Sequence, residues 1–285
     1  MTTVLIAAHN EGAVIGRTLD GLLAGGAAEP LQVVVAANGC TDDTVAVARQ
    51  RRVEVVEVAD AGKTPALNAA ERRATGYPRV YLDADIQLDK EAIERLSDSL
   101  RTAEAVPGST ALAAVPARTV DASASSRPVR MYYRVHARHP SYATGLFGRG
   151  AVAVSEAGRA RFTEFPDVIS DDLFLDSLFD ESETLHLEDV VSVVVAVPCL
   201  RSLLRRLARV RRGNAQLRAA DPVGRVRRAE GLRWLVASVR TEPSLAPAAV
   251  VYVGVTVIAE AMARRGGSGW GSERFRPATG TVGAS

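Results

Sequence analysis

The stretch Val80-Tyr81-Leu82-Asp83-Ala84-Asp85 governs how the chain is read: a short apolar run closes on two aspartates two positions apart. A run of that length without polar alternation suits a strand covered on both faces. Three more such runs precede it, Thr3 to Ala8 (TVLIAA), Leu31 to Ala37 (LQVVVAA) and Val53 to Val58, with helical patterns between them. Val14, Ile15, Leu19, Leu22 and Leu23 recur on one face of the first helix, which Gly25-Gly26 is expected to stop. Thr44 to Arg51 and Lys63 to Ala74 read as two further helices. Strand and helix alternating this regularly predict a parallel sheet with right-handed crossovers and helices on both faces, an α/β fold. In such sheets ligands gather at the carboxyl ends of the strands. Here those ends carry Asn10-Glu11, Asn38 and Asp83 to Asp85, so polar groups converge on one edge.

Beyond this repeat the pattern changes. Ala111 to Val120 reads as a strand that Pro116 marks as an edge or bulged one. Ser123 to Pro128 reads as a loop, and Tyr132 to Gly150 is rich in His, Arg, Tyr and Gly without a clear period. Ala151 to Val154 and Val190 to Val197 read as strands, with an acidic helix from Ser170 to Asp176 between them. Residues 201–228 carry ten arginines in helix-like sequence, and Pro243 to Ala259 then runs without a charge. The expected organisation is a catalytic unit over residues 1–200, a basic and hydrophobic helical appendage over 201–264, and a disordered Gly/Ser/Thr-rich tail over 265–285.

Composition narrows the class. The 285 residues are 47% hydrophobic and 24% charged, with 35 Lys plus Arg against 33 Asp plus Glu, a net charge of +2. That is a globular balance, and it argues against a disordered chain or a dedicated nucleic-acid binder. Two cysteines, Cys40 and Cys199, make neither a disulfide framework nor a zinc site and suit a reducing cytosol. The opening MTTVLIAAHNEG lacks the basic region of a secretory signal. Cytoplasmic residence is expected, at the cytoplasmic face of the membrane if the uncharged segment lies on anionic lipid beside the arginines; a core helix hairpin is the other reading of that segment.

Three groups carry chemistry. Asp83 and Asp85, where a strand frays into a loop, can hold a hard divalent cation with one carboxylate and accept hydrogen bonds from a ribose with the other. Asp171 and Asp172 open a helix, where negative charge is ordinary capping, yet one of them can serve as a general base toward an acceptor hydroxyl. Arg205 to Arg212 supply forked guanidinium groups suited to diphosphate oxygens, although a solvated helix face explains most of them. Asn10, Glu11 and Lys63 are lesser candidates for base, ribose or phosphate contacts. Tyr132, Tyr133, His136, His139 and Tyr142 are candidates to stack on or hydrogen-bond an acceptor.

Taken in order, these segments resemble the inverting family 2 glycosyltransferases of GT-A fold over roughly residues 2–217. Ala7-Ala8-His9-Asn10-Glu11 is similar to that family's Pro-x-Tyr-Asn-Glu opening, without its proline and tyrosine. Val33 to Thr44 looks like the second-strand motif, with Asn38 where an aspartate is common, and Gly62-Lys63-Thr64-Pro65-Ala66-Leu67-Asn68 like the Gly-Lys…Leu-Asn segment. Asp83-Ala84-Asp85 matches the Asp-x-Asp motif, and Asp171-Asp172 falls where the family has Glu-Asp. Of the Gln-x-x-Arg-Trp motif only Arg209 is kept.

The resemblance implies a mostly parallel, Rossmann-like sheet flanked by helices, with a C-terminal helical appendage. It implies a nucleotide-diphosphate sugar, a UDP-sugar favoured, beside Ala8, Asn10, Glu11, Asn38, Lys63, Asp83, Ala84, Asp171 and Arg209. A divalent cation, Mn2+ or Mg2+, would sit on Asp85, and Asp172 would be the base. The acceptor would be a small molecule, a glycan or a lipid-linked compound. Two rivals are a sugar nucleotidyltransferase and a silent nucleotide-sugar-binding module. The first usually needs a Gly-rich basic loop after the first strand, which His9-Asn10-Glu11-Gly12 lacks, and no G-x-G-x-x-G follows that strand for a dinucleotide enzyme.

Overall fold

The computed structural model describes residues 1–24, 31–221 and 223–265. The expected Gly25-Gly26 stop and the tail past Arg265 lie outside the described residues. A seven-stranded sheet runs in the order β3-β2-β1-β4-β6-β5-β7. Its strands are β1 (Thr2–Ala8), β2 (Leu31–Asn38), β3 (Glu54–Val58), β4 (Arg79–Leu82), β5 (Ala113–Asp121), β6 (Ala151–Val154) and β7 (Thr184–Val195). β3, β2, β1 and β4 are parallel neighbours, and only β6 runs against its two partners, β4 and β5.

The helices are α1 (Gly12–Leu23), α2 (Thr44–Gln50), α3 (Lys63–Glu71), α4 (Lys90–Glu104), α5 (Arg127–His136), α6 (Ser141–Thr144), α7 (Glu156–Arg159), α8 (Asp171–Ser177), α9 (Leu200–Ala220), α10 (Arg233–Thr241) and α11 (Ala246–Arg265). Alternate residues of β1 explain the layers. Val4 and Ile6 pack with Ile15, Leu19 and Leu22 of α1 and Ile93, Leu96 and Leu100 of α4 on one face. Leu5 packs with Leu67 of α3 and Phe174 and Leu175 of α8 on the other. A third apolar cluster joins α5, α9, α10 and α11 through Tyr132, Leu203, Leu235 and Tyr252.

Several expectations are corrected here. β5 is not an edge strand, because β7 pairs along its whole length; Pro116 does mark a register shift between Pro116 and Ala117. β7 starts at Thr184, earlier than its apolar run, since its first residues are only half-covered. The stretch without a clear period contains α5, whose buried Val129, Tyr132, Tyr133 and Val135 follow helical spacing that the interleaved arginines and histidine obscure. α4 begins at an Asp89 cap whose carboxylate accepts the Ala92 N–H.

Candidate active site

The loops at the carboxyl ends of β1, β2 and β4 are tied together by side chains, and the ties show what several expected ligand-binding residues do. Asn38 is fully buried: its Nδ2 donates to the Ala8 carbonyl at 2.9 Å and its Oδ1 accepts the Gly62 N–H at 3.0 Å. Ala8 and Ala84 are also core residues, and the Ala84 carbonyl accepts the Thr18 hydroxyl at 2.8 Å. Asn38, Ala8 and Ala84 thus lie beneath the strand ends, with the Asn38 amide and the Ala8 and Ala84 carbonyls engaged inside the protein. Asn10 is exposed at φ 55°, and its Oδ1 accepts the Thr41 N–H at 2.8 Å, stapling the β1 loop to the β2 loop. Glu11 is buried beneath the same junction, where its N–H meets the Thr44 hydroxyl at 2.8 Å.

Lys63 turns out to be the hub. Its Nζ lies 2.7 Å from Asp83 Oδ1 and 2.9 Å from Asp171 Oδ2, joining the end of β4 to the start of α8 across 88 positions of chain. Burial opposes its charge, but Asp171, Asp83 and Asp172 outweigh that and hold its pKa above the ordinary lysine range. Burial pushes Asp171 up to about 6, against the pull of Lys63 and with repulsion from Asp172 and Asp83 added. Asp171, a nucleotide-binding candidate, is paired with this lysine.

Asp172 is half-buried and turned the other way. Its Oδ2 accepts the Gly148 N–H at 2.9 Å and its Oδ1 accepts the Leu173 N–H at 2.8 Å, so two backbone donors fix its orientation. Gly148 has φ 69° and Gly150 has φ 72°, conformations that favour glycine. A Cβ on Gly150 would stand 2.3 Å from Ile86 Cγ1, and the Gly150 carbonyl accepts the Asp83 N–H at 2.8 Å. Buried Arg149 braces this loop by donating to the carbonyls of Gly145 at 3.0 Å and Pro116 at 2.7 Å. One short glycine-rich loop thus positions both Asp83 and Asp172. The sequence reading missed Gly148, Gly150 and Arg149; the Gly145-Leu146-Phe147-Gly148-Arg149-Gly150 run was the available signal.

Asp83, Asp85 and Asp172 line one cleft of about 630 Å³, and Arg209 lines it too. Its far wall carries the acceptor candidates. Tyr132 is 2% exposed and stacks on Tyr252 with centroids 5.1 Å apart, so its ring serves the wall more than the cavity. The Tyr142 hydroxyl is 3.1 Å from His136 Nε2, and His139 packs on Trp234. Among the described residues no cluster of three or more His, Cys, Asp or Glu is arranged to hold a metal. A hard cation here fits one carboxylate, Asp85, with phosphate and water oxygens completing its shell, the usual habit of Mg2+ at phosphate sites.

Residues 3–136 match the family model described as Glycosyl transferase family 2. The chain is a glycosyltransferase. Among solved structures it is similar to the mannosyltransferase PcManGT from Pyrobaculum calidifontis in complex with GDP-Man and Mn2+, at 25% identity and a TM-score of 0.57, covering 94% of this chain and 76% of that one. It is also similar to glucosyl-3-phosphoglycerate synthase from Mycobacterium tuberculosis in complex with Mn2+, UDP-glucose and phosphoglyceric acid, at 20% identity and a TM-score of 0.56, covering 76% and 78%. The second likeness is one of fold. No curated protein matches the sequence. The sheet and its flanking helices are those of the GT-A fold, with α11 closing the C-terminal side.

Proposed function

We propose that this glycosyltransferase moves a sugar from a nucleotide-diphosphate sugar to an acceptor hydroxyl by one inverting displacement, with Asp172 as general base. The observation that carries the reading is the meeting of Asp172 with Asp83 and Asp85 in one cleft, from opposite halves of the chain. The donor lies over the ends of β1, β2 and β4. Asp83, steadied by Lys63 and the Gly150 carbonyl, accepts from the ribose. Asp85 would hold Mn2+ or Mg2+, which would offset charge on the departing diphosphate. Arg209 faces the same cleft and assists with that charge.

At the acceptor side, Asp172 takes the hydroxyl proton as the oxygen attacks the anomeric carbon. The bond to the diphosphate oxygen breaks on the opposite face, so the anomeric configuration inverts. The two backbone N–H bonds leave Asp172 oriented before the acceptor arrives, which lowers the ordering cost of the step. Asp172→Asn is expected to keep donor binding and lose at least about a hundredfold in turnover, the scale of general-base catalysis. Release of nucleoside diphosphate is the assay, run with UDP-glucose and GDP-mannose, the donor classes named for the two neighbours. Turnover near wild type in Asp172→Asn rejects the base assignment, and release of pyrophosphate favours a nucleotidyltransferase.

The reading extends to residence at the cytoplasmic face of a membrane. Pro243–Arg265 is long and apolar enough to cross a bilayer by length and composition. One side of α11 packs on α5 and α9, while Val250, Val257 and Ile258 on it stay exposed, followed by Arg264 and Arg265. Protein prepared without detergent that ignores anionic vesicles removes this part of the reading.

A further inference from the structure

The cleft carries far more positive charge than a donor requires. Nine arginines line it against four carboxylates, and three of those carboxylates are the aspartates at its donor end. A nucleotide-diphosphate sugar brings about two negative charges and a divalent cation to offset them. Some of the arginines are partnered inside the protein: Arg227 meets Asp176 at 3.0 Å, and Arg211 meets Glu260 at 3.3 Å. Arg118, Arg206 and Arg212 are half-buried and make no ion pair or hydrogen bond among the described residues. The Arg118 Nε and the His136 Nδ1 are buried without a hydrogen-bond partner. Guanidinium groups enclosed without a counter-charge are costly to keep, which points to an anion supplied from outside.

Their position separates them from the diphosphate. Arg118 leaves β5 and lies over the Tyr142 ring, 4.5 Å from its centroid. That ring packs on Gly148, the residue whose N–H holds Asp172. The Tyr142 hydroxyl meets His136, the group around which the arginines gather. Burial, with Arg118, His139, Arg206 and Arg211 added, holds His136 well below the usual histidine range. The charge therefore sits on the acceptor side of Asp172, one aromatic ring away.

We propose that the acceptor is a hydroxyl compound carrying a phosphate, bound by Arg118 and Arg206 beside His136 so that its hydroxyl reaches Asp172. A phosphate, with one charge as a diester and about two as a monoester, offers convergent guanidinium groups more acceptor oxygens than a single carboxylate does. The proposal rests on the transferase reading above for the role of Asp172. The phosphate can belong to a soluble metabolite or to a lipid headgroup.

The test is calorimetric titration of the full chain, first with UDP or GDP plus Mn2+, then with sn-glycerol 3-phosphate and with neutral glycerol on the nucleotide-loaded protein. Co-sedimentation with phosphatidylglycerol-containing vesicles, against phosphatidylcholine alone, forms the lipid arm. Arg206→Gln and Arg118→Gln are each expected to weaken the phosphate probe or the phosphatidylglycerol vesicle at least about tenfold, the loss of one charge-assisted bond, with nucleotide affinity within about twofold. Sensitivity in the first arm assigns a soluble acceptor, and sensitivity in the second a lipid one. Glycerol binding as well as its phosphate, with no preference for phosphatidylglycerol, overturns the proposal. So does parallel loss of nucleotide and phosphate affinity, which would return the arginines to the leaving group. Absent nucleotide binding with retained, arginine-dependent phosphate binding overturns the acceptor role through the transferase reading and not through the anion site.

Discussion

Lys63→Met isolates the hub of the site. The ammonium group stands 2.7 Å from Asp83 and 2.9 Å from Asp171, and the Asp171 side chain is only 9% exposed. Removing one partner of a buried ion pair costs about 3–5 kcal/mol, because the other charge stays behind unpaired. Lys63 is 21% exposed and Asp83 30%, so water recovers part of this, and about 2–3 kcal/mol is the expected loss at pH 7.5. Asp171 already sits near 6, and losing its lysine moves it higher still. At pH 5 the stranded carboxyl is neutral, and the penalty shrinks by about 1 kcal/mol or more, the value of one pKa unit.

Urea unfolding followed by circular dichroism, in a cycle of Lys63→Met, Asp171→Asn and the double variant, reads these quantities. The double variant should recover about 1–2 kcal/mol over the sum of the singles, within the range for residues in contact. Donor affinity provides the second readout. Asp83 loses its brace in Lys63→Met, so nucleotide binding should weaken about tenfold, the worth of one charge-assisted bond. Additive singles, or a penalty that does not change between pH 7.5 and pH 5, would refute the shared-lysine account.

Other expectations follow from the same geometry. Gly148→Ala should cost about 1–2 kcal/mol for its left-handed backbone and lower turnover more than donor affinity, since its N–H orients Asp172; unfolding midpoints and steady-state rates check both. Asp85→Ala should abolish the dependence of nucleotide affinity on Mn2+, read by titration with and without the ion. Because burial raises Asp171 from 3.8 to about 6, the folded chain binds this proton more tightly than the unfolded one. Its contribution to stability is full below about pH 4 and lost as pH rises through 6, so the slope of stability in that window should flatten in Asp171→Asn.

The fold was largely legible because both of its signals are local. Buried parallel strands read as unbroken apolar runs, and Thr3–Ala8 and Leu31–Ala37 lie within β1 and β2. α5 was not legible for an equally physical reason. Its outer face carries Arg127, Arg130 and Arg134, and its inner face is tyrosine and valine rather than leucine, so the apolar stripe is interrupted by polar atoms that only the folded chain engages. Pro116 signalled a bulge but not its place in the sheet, because strand order is a long-range property.

For the site, residue type located the cleft but did not divide the labour within it. Asn38 and Asp83 both stand at the ends of strands and look equally able to meet a ligand. The difference lies in what approaches them from elsewhere: Asn38 is consumed by Ala8 and Gly62, while Asp83 is held by Lys63 and still lines the cleft. Adjacent acids split in the same way. Asp171 points inward to Lys63 and Asp172 outward to the cavity, because consecutive positions on a helix face about 100° apart. That angle gives one dipeptide two tasks, a structural anion paired with Lys63 and a solvent-reachable one placed to accept a proton. If the two were exchanged by function, Asp171→Asn would cost turnover and Asp172→Asn would cost stability. The hydrogen bonds to Gly148 and Leu173 on one side and the ion pair to Lys63 on the other require the opposite pattern.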